Sequence, residues 1–433
     1  MLGLVEGVNP PYGTPAIDLA AMGYAVEEYY LEGTTVAYEY LTNPAPDGHW
    51  EAEASGMADY RTRLLVVRPT DPARFNGTVV LNWQNVSAGS EPAAPSSGEI
   101  YNGFAWVGVS AQEVGIFGFP AGLFRSGGYR GAPPLADRDP ERYRSLRHPG
   151  DQGSFDIFTQ AARAVGPDRS STVDPLGGLD VQGVVALGGS QSAMRLVAYA
   201  NAVHPQERAV DGFLLTVWEG RAPRLGDGSV SFGAMKTAVR DLDVPVLIVN
   251  SEFEAPNLAA LGLADTDLRR IWEVTGTPHG VAQVHGDRPD DRGRVVNRLS
   301  YRPVYEAALR HLQRWITDAT PAPAQPRIEF EADSPPTFRR DQFGNALGGI
   351  RLPELAAPTK EYHGMGFGTG RMPLFGFARP FTDDELRSLY PSRQTFIDRW
   401  HQAVDALVTA GALRPEDGPA MRARADDEAP SLT

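Results

Sequence analysis

Cysteine is absent from all 433 residues, which excludes disulfides, a thiolate nucleophile and any cysteine-ligated metal centre. Positive charge is scarce as well: 40 Lys and Arg face 54 Asp and Glu, for a formal net charge of -14. Nucleic acid and anionic membranes bind to concentrated positive potential, so neither is expected as a partner. No stretch has the length and apolar composition of a membrane helix, and residues 1–14 lack the basic start and apolar run of a secretory signal. A cytoplasmic location is therefore expected, with secretion of a mature chain as the alternative. Gly188-Gly189 is too brief for a phosphate-cradling loop and no Lys follows it at the required place. The His and Asp residues show no metal-ligand spacing, so neither metal nor organic cofactor is expected.

What is present is ordinary for a folded chain: 42% hydrophobic and 22% charged residues. The length exceeds what one hydrophobic core holds. A main core over residues 1–320 is expected, followed from Pro321 by an extension, 321–433. In the extension Pro321, Pro323, Pro326, Pro335 and Pro336 interrupt regular structure, and a helix with apolar spacing is predicted over 393–410. This extension is expected to pack on the core and contribute to its cleft, and the acidic tail after Arg424 to be disordered. The segment 137–147 mixes Arg with acids and reads as a solvated, salt-linked surface.

Upstream, β-branched and aromatic content predicts strands at 33–40, 60–67, 78–81 and 105–109. A glycine-rich loop is expected from Gln112 to Gly131. Phe155, Phe158, Ala161, Ala162 and Val165 fall at helical spacing, with Asp156, Gln160 and Arg163 on the polar side. Strands are predicted at 181–187, 212–216, 244–249 and 270–275, and a packing helix at 304–316. This alternation predicts an α/β fold around a mostly parallel sheet.

The most informative transition is strand 181–187, then Gly188-Gly189-Ser190-Gln191-Ser192, then a helix. A serine nucleophile has to project from a tight strand-to-helix turn, and small neighbours permit the close backbone approach. The motif is G-x-S-x-S, with Ser192 where glycine is usual. Serine needs an imidazole to take its proton and an acid to orient that imidazole. Glu252 and Glu254 follow strand 244–249, and His279 follows strand 270–275, which gives the order serine, acid, histidine at three successive strand ends. Glu254 is the favoured acid and Glu252 the alternative; His285, farther along the loop, is the rival base. The Gln191 backbone amide, immediately after Ser190, and the segment around Asn85, after an earlier strand, are the expected oxyanion donors, with Trp83 as a candidate pocket wall.

These residues, taken together, resemble a bacterial family of α/β hydrolase domain proteins, serine esterase-like members with a carboxy-terminal extension. The likeness is carried by Asn85-Val86-Ser87-Ala88-Gly89, by His148-Pro149-Gly150-Asp151, by Gly189-Ser190-Gln191-Ser192 and by Ser251-Glu252-Phe253-Glu254. It continues through Thr277-Pro278-His279 and Asp341-Gln342-Phe343-Gly344-Asn345. The resemblance implies the α/β-hydrolase fold and carries Ser190 and His279 over as nucleophile and base. At the acid it implies an aspartate, and this chain has glutamate at both candidate positions.

The expected function is hydrolysis of a small-molecule carboxylic ester, with an apolar or aromatic acyl group, through an acyl-enzyme. The alternatives are a cofactor-independent lyase on the same scaffold and a non-catalytic small-molecule binding protein.

Overall fold

Two long strands set the leading edge of the sheet. In the computed structural model β2 (Tyr24–Tyr40) and β3 (Ala52–Pro69) run antiparallel from the Tyr24↔Pro69 pair to the Tyr40↔Ala52 pair, and β1 (Leu2–Leu4) pairs antiparallel on the outer edge of β2. The structure describes residues 2–5, 10–96, 98–119, 132–228, 234–281, 289–366 and 372–431. Both long strands reach well beyond the predicted 33–40 and 60–67: residues 24–32 show no regular in–out alternation, residues 52–59 are nowhere buried, and polar residues such as Glu27 and Glu53 interrupt both stretches. The inner half of β3 is the continuous apolar run Leu64-Leu65-Val66-Val67, buried on both faces as an interior strand requires.

The sheet continues with β4 (Thr78–Trp83), β5 (Ala105–Val109), β6 (Gly183–Gly189) and β7 (Gly212–Thr216), in the order β1-β2-β3-β5-β4-β6-β7. The β3–β5 pairing is antiparallel and the β5–β4, β4–β6 and β6–β7 pairings are parallel. A side hairpin, β8 (Arg221–Ala222) with β9 (Met235–Lys236), is antiparallel. The architecture is the expected α/β-hydrolase fold: a mixed but mostly parallel sheet flanked by helices, with further helices at the carboxy end.

The chain forms two compact units, Met1–Val246 with Leu312–Thr320, and Leu247–His311 with Pro321–Thr433. In the first, the expected loop after Gln112 opens with a short helix, α1 (Glu113–Phe117), while residues 120–131 lie outside the described residues. Segment 137–147 exposes Asp137, Arg138, Glu141, Arg144 and Arg147, as expected of a solvated surface, but Tyr143 and Leu146 are buried and anchor it. It contains two single-turn helices, α2 (Leu135–Arg138) and α3 (Pro140–Tyr143), and Leu135, Tyr143 and Leu146 pack with Ile116. Arg142 pairs at 2.6 Å with fully buried Glu28, which also pairs with buried Arg63. Helix α4 (Ser154–Val165) buries the expected apolar stripe and Asp156 with it. That carboxylate takes the Val36 amide at 2.9 Å where the β2–β3 register shifts, so a polar group is drawn inward to satisfy a donor the ladder releases. The helices α5 (Gln191–Ala202) and α6 (His204–Glu207) follow β6.

The chain enters the second unit through β10 (Val246–Ser251), followed by α7 (Ala255–Leu261) and β11 (Arg269–Val274), the hydrogen-bonded neighbour of β10. Next come β12 (Val295–Val296) and α8 (Arg302–Asp318). The segment after Pro321 is pinned to β11: the Trp272 indole donates to the Pro323 carbonyl at 2.9 Å, and Ile350 bridges Val274. Gly349 permits this approach at a φ of +65°, where a Cβ would meet Thr275 Oγ1. Beyond α9 (Pro353–Ala356), β13 (Lys360–His363) pairs antiparallel with β14 (Phe377–Pro380), which also pairs with β12. Helices α10 (Asp383–Leu389), α11 (Arg393–Thr409) and α12 (Gly418–Glu428) close the chain. The tail expected to be disordered is helical to Glu428, because Met421 and Ala425, one turn apart, are buried and the Trp400 indole donates to the Met421 carbonyl.

Candidate functional site

Ser190 stands between the end of β6 and the start of α5 with φ +57° and ψ -119°, a conformation that non-glycine residues avoid. Its amide donates to the Thr216 carbonyl at 2.9 Å, which ties the turn to the neighbouring strand. The approach is so close that a Cβ on Gly188 would lie 2.9 Å from the Ser192 backbone and from Leu196, so glycine is required there. Ser192, by contrast, sits inside the first turn of α5, where no positive φ is needed. Its hydroxyl bonds the amide and the carbonyl of Gly189, each at 3.0 Å. The G-x-S-x-S departure is thereby explained: the second serine acts as a clasp on the turn.

The loop after β4 is held to this turn by two carboxamides. Asn85 Nδ2 donates to the Gly189 carbonyl at 2.8 Å, and Gln191 Oε1 accepts the Val86 amide at 3.3 Å. The Ser87 amide is taken by Asn85 Oδ1 at 2.9 Å and the Gln84 amide by the Val109 carbonyl at 3.3 Å. Of the amides at 84–87, that of Asn85 alone has no acceptor among the described residues. Trp83 packs into the core. Its ring is fully buried against Phe155 and Phe158, centroids 5.6 and 5.0 Å away, and its indole N–H donates to Gln112. An indole ending a buried strand goes to the core, where its one donor finds a partner.

In the second unit the turn after β10 brings one of the two acids to the imidazole. Glu254, at the N-cap position of α7, folds back over the strand end. Its Oε2 accepts the Ser251 amide at 3.0 Å and the Ser251 hydroxyl at 2.6 Å, and its Oε1 lies 2.5 Å from His279 Nδ1. The carboxylate is wholly buried and the imidazole nearly so, with the Phe253 ring edge-on at 5.5 Å. A charge-assisted bond of this length, shielded from water, fixes ring orientation and tautomer together. Burial, reinforced by the Glu254 charge, pushes the Tyr301 hydroxyl above the usual phenol range. Glu252 is equally buried but turned away: it accepts the Gly276 amide at 2.8 Å, the Gly364 amide at 3.2 Å and Arg340 at 3.2 Å. It joins the carboxy-terminal segment to the strand end. His285 lies outside the described residues.

Reasoning from sequence missed Gln112, Asp151 and Arg195. Gln112 Oε1 receives Trp83 Nε1 at 3.0 Å and Gln191 Nε2 at 2.8 Å, and Gln112 Nε2 donates to Asp151 at 3.1 Å. The Asp151 carboxylate also accepts the Glu113 amide at 3.0 Å and pairs at 3.2 Å with Arg195, which has no exposed surface. The one available signal was the His148-to-Asp151 motif. Burial holds the His148 imidazole below its usual pKa against the opposing pull of Asp151, and its Nε2 lies 2.9 Å from the Ala111 carbonyl. No helix is long and apolar enough to cross a membrane among the described residues.

A family model described as alpha/beta hydrolase domain matches residues 5–423. No curated protein matches the chain. Among solved structures, the esterase Est22 shares 12% identity over 59% of this chain and 72% of its own, with a TM-score of 0.32. An acetyl xylan esterase from Thermoanaerobacterium shares 12% over 63% and 80%, with a TM-score of 0.30. A prolyl endopeptidase shares 15% over 58% of this chain, which spans only 35% of that protein's length, with a TM-score of 0.30. Likenesses this distant carry no argument about chemistry.

Proposed function

Since the chain belongs to the alpha/beta hydrolase domain family, we propose that it is a serine-dependent hydrolase of carboxylic esters, with Ser190 as nucleophile, His279 as general base and Glu254 as the acid that orients it. The observation that carries this reading is the +57° φ of Ser190 at a strand-to-helix turn. A strained serine held by a required glycine is a geometry with a use. The buried Glu254–His279 pair supports it from the second unit, since it supplies an imidazole of defined tautomer.

In this mechanism Ser190 Oγ attacks the ester carbonyl carbon while its proton passes to His279 Nε2. The carbonyl π electrons move onto oxygen, where the amides of Gln191 and Asn85 receive the negative charge. Collapse of the tetrahedral species breaks the bond to the alkoxy oxygen, which leaves with the proton from His279. A water then repeats the sequence on the acyl-enzyme, releasing the carboxylic acid and restoring Ser190. Glu254 holds the Nδ1 proton throughout and stabilises the imidazolium.

Treatment with a fluorophosphonate followed by intact-mass measurement is expected to add one phosphonyl group to the wild-type protein and none to Ser190→Ala. Ser190→Ala is expected to lose p-nitrophenyl acetate hydrolysis while unfolding at an unchanged or higher temperature. Undiminished hydrolysis by the variant would end the proposal.

A further inference from the structure

We infer that Gln112 is a positioning residue: through the side chain of Gln191 it sets the pitch of the loop whose Asn85 amide would receive the oxyanion. This inference rests on the hydrolase reading above. Four buried groups lie in a line, Asp151 to Gln112 to Gln191 to the Val86 amide, with separations of 3.1, 2.8 and 3.3 Å. Gln112 is 1% exposed and Gln191 6%.

The line has only one workable polarity. The Trp83 indole can only donate, so the Gln112 oxygen has to face it, and the Gln112 NH2 is left for the Asp151 carboxylate, which can only accept. The same oxygen takes the Gln191 NH2, so the Gln191 oxygen faces Val86, whose amide can only donate. Each carboxamide is locked by a partner that cannot reverse its role. The Asp151 end is itself anchored, by the Glu113 amide and by Arg195 from the middle of α5. The His148-to-Asp151 motif thereby supplies the fixed end of the line.

What the line does to the loop follows from the amides it engages. With the Gln84 amide tied to the Val109 carbonyl and the Val86 amide to the Gln191 side chain, the peptide plane carrying the Asn85 N–H is held from both sides. Remove Gln112 and the Gln191 NH2 loses its 2.8 Å bond to the Gln112 oxygen. The carboxamide is then able to flip and present NH2 to an N–H, which repels the loop. An oxyanion donor displaced by about 1 Å loses most of its effect on the transition state and little of its effect on substrate binding.

The test is Gln112→Met, which keeps volume and removes the polar line. Gln191→Met is the second variant, cutting the line one link nearer the loop should the first fail to fold. For p-nitrophenyl acetate, kcat is expected to fall about 10²-fold with KM changed less than about 3-fold. Affinity for an alkyl boronic acid, whose tetrahedral adduct places an oxygen at the oxyanion position, is expected to fall by a similar factor. A merely structural role would lower the unfolding temperature and leave both ratios intact in the folded protein. Wild-type kcat and boronate affinity in either folded variant would overturn the inference alone. A wild-type protein that neither turns over esters nor takes the fluorophosphonate on Ser190 would overturn the hydrolase reading and this inference with it.

Discussion

Replacing Glu254 by Gln keeps every atom in place and changes only which groups can donate. One oxygen of Glu254 accepts both the Ser251 amide and the Ser251 hydroxyl, and the other meets His279 Nδ1 at 2.5 Å. In the variant the carboxamide oxygen stays with Ser251, because a backbone N–H has no other role to offer. The NH2 then faces Nδ1 and forces it to accept, so the ring proton moves to Nε2, the nitrogen that takes the Ser190 proton in the proposed mechanism. A wrong tautomer of this kind costs on the order of 10⁴ in kcat, which is about 5.5 kcal/mol at 1.36 kcal/mol per tenfold. Glu252→Gln is the internal control. Its carboxylate serves Gly276, Gly364 and Arg340, so the substitution is expected to cost roughly 1–3 kcal/mol of stability and to leave kcat within a few-fold. Initial rates on p-nitrophenyl acetate at neutral pH, paired with urea unfolding of each variant, give both numbers. A Glu254→Gln enzyme within tenfold of wild type, or a Glu252→Gln enzyme that loses turnover instead, would refute the reasoning.

Arg63, fully buried, pairs with Glu28 and with Glu91, whose carboxyl burial has already pushed above the usual range. Arg63→Met takes the cation from buried Glu91 and leaves Glu28 with Arg142 and Tyr143, and urea unfolding is expected to show a loss of about 3–5 kcal/mol; a loss below about 1 kcal/mol contradicts this. His204, buried edge-on against Phe213, is held by desolvation at a pKa of about 4, Asp243 only partly opposing. The folded protein refuses a proton that the unfolded chain accepts, so stability falls as pH drops from the ordinary histidine range toward 4, by roughly 3 kcal/mol in total. His204→Phe is expected to flatten this part of the profile, and equal urea midpoint slopes for the two proteins below neutral pH would rule it out.

The parts of the fold that were legible in the sequence are those with one dominant environment. Strands Ala105–Val109 and Gly212–Thr216 are buried throughout and apolar up to the terminal Thr216, so pattern and structure coincide in extent. Helix α4 carries a 3.6-residue stripe that no strand could bury on one face. The unpredicted halves, 24–32 of β2 and 52–59 of β3, escaped notice because each is held by the backbone of the predicted half of the other strand, with mixed side chains of its own. Helix α12 escaped because two apolar residues among charges look like a solvated tail until Trp400 is seen to hold them.

At the candidate site, chain order pointed to Ser190, His279 and a pair of acids, but two glutamates separated by one residue are chemically alike in a string of letters. Only the direction in which each leaves the β10 turn assigns one to the imidazole and the other to Arg340. The Asp151–Gln112–Gln191 line was invisible for a different reason. Neutral carboxamides have no preferred spacing along a chain, and Gln112 and Gln191 are separated by 79 positions.

The backbone angle at Ser190 has a consequence for anyone improving this protein. A glycine at 190 would relieve a conformational cost of about 1–3 kcal/mol, so heat-resistance screening that ignores turnover would reward discarding the hydroxyl proposed as the nucleophile. Thermal robustness and usefulness pull in opposite directions at a single codon, and directed evolution here needs an activity readout from its first round.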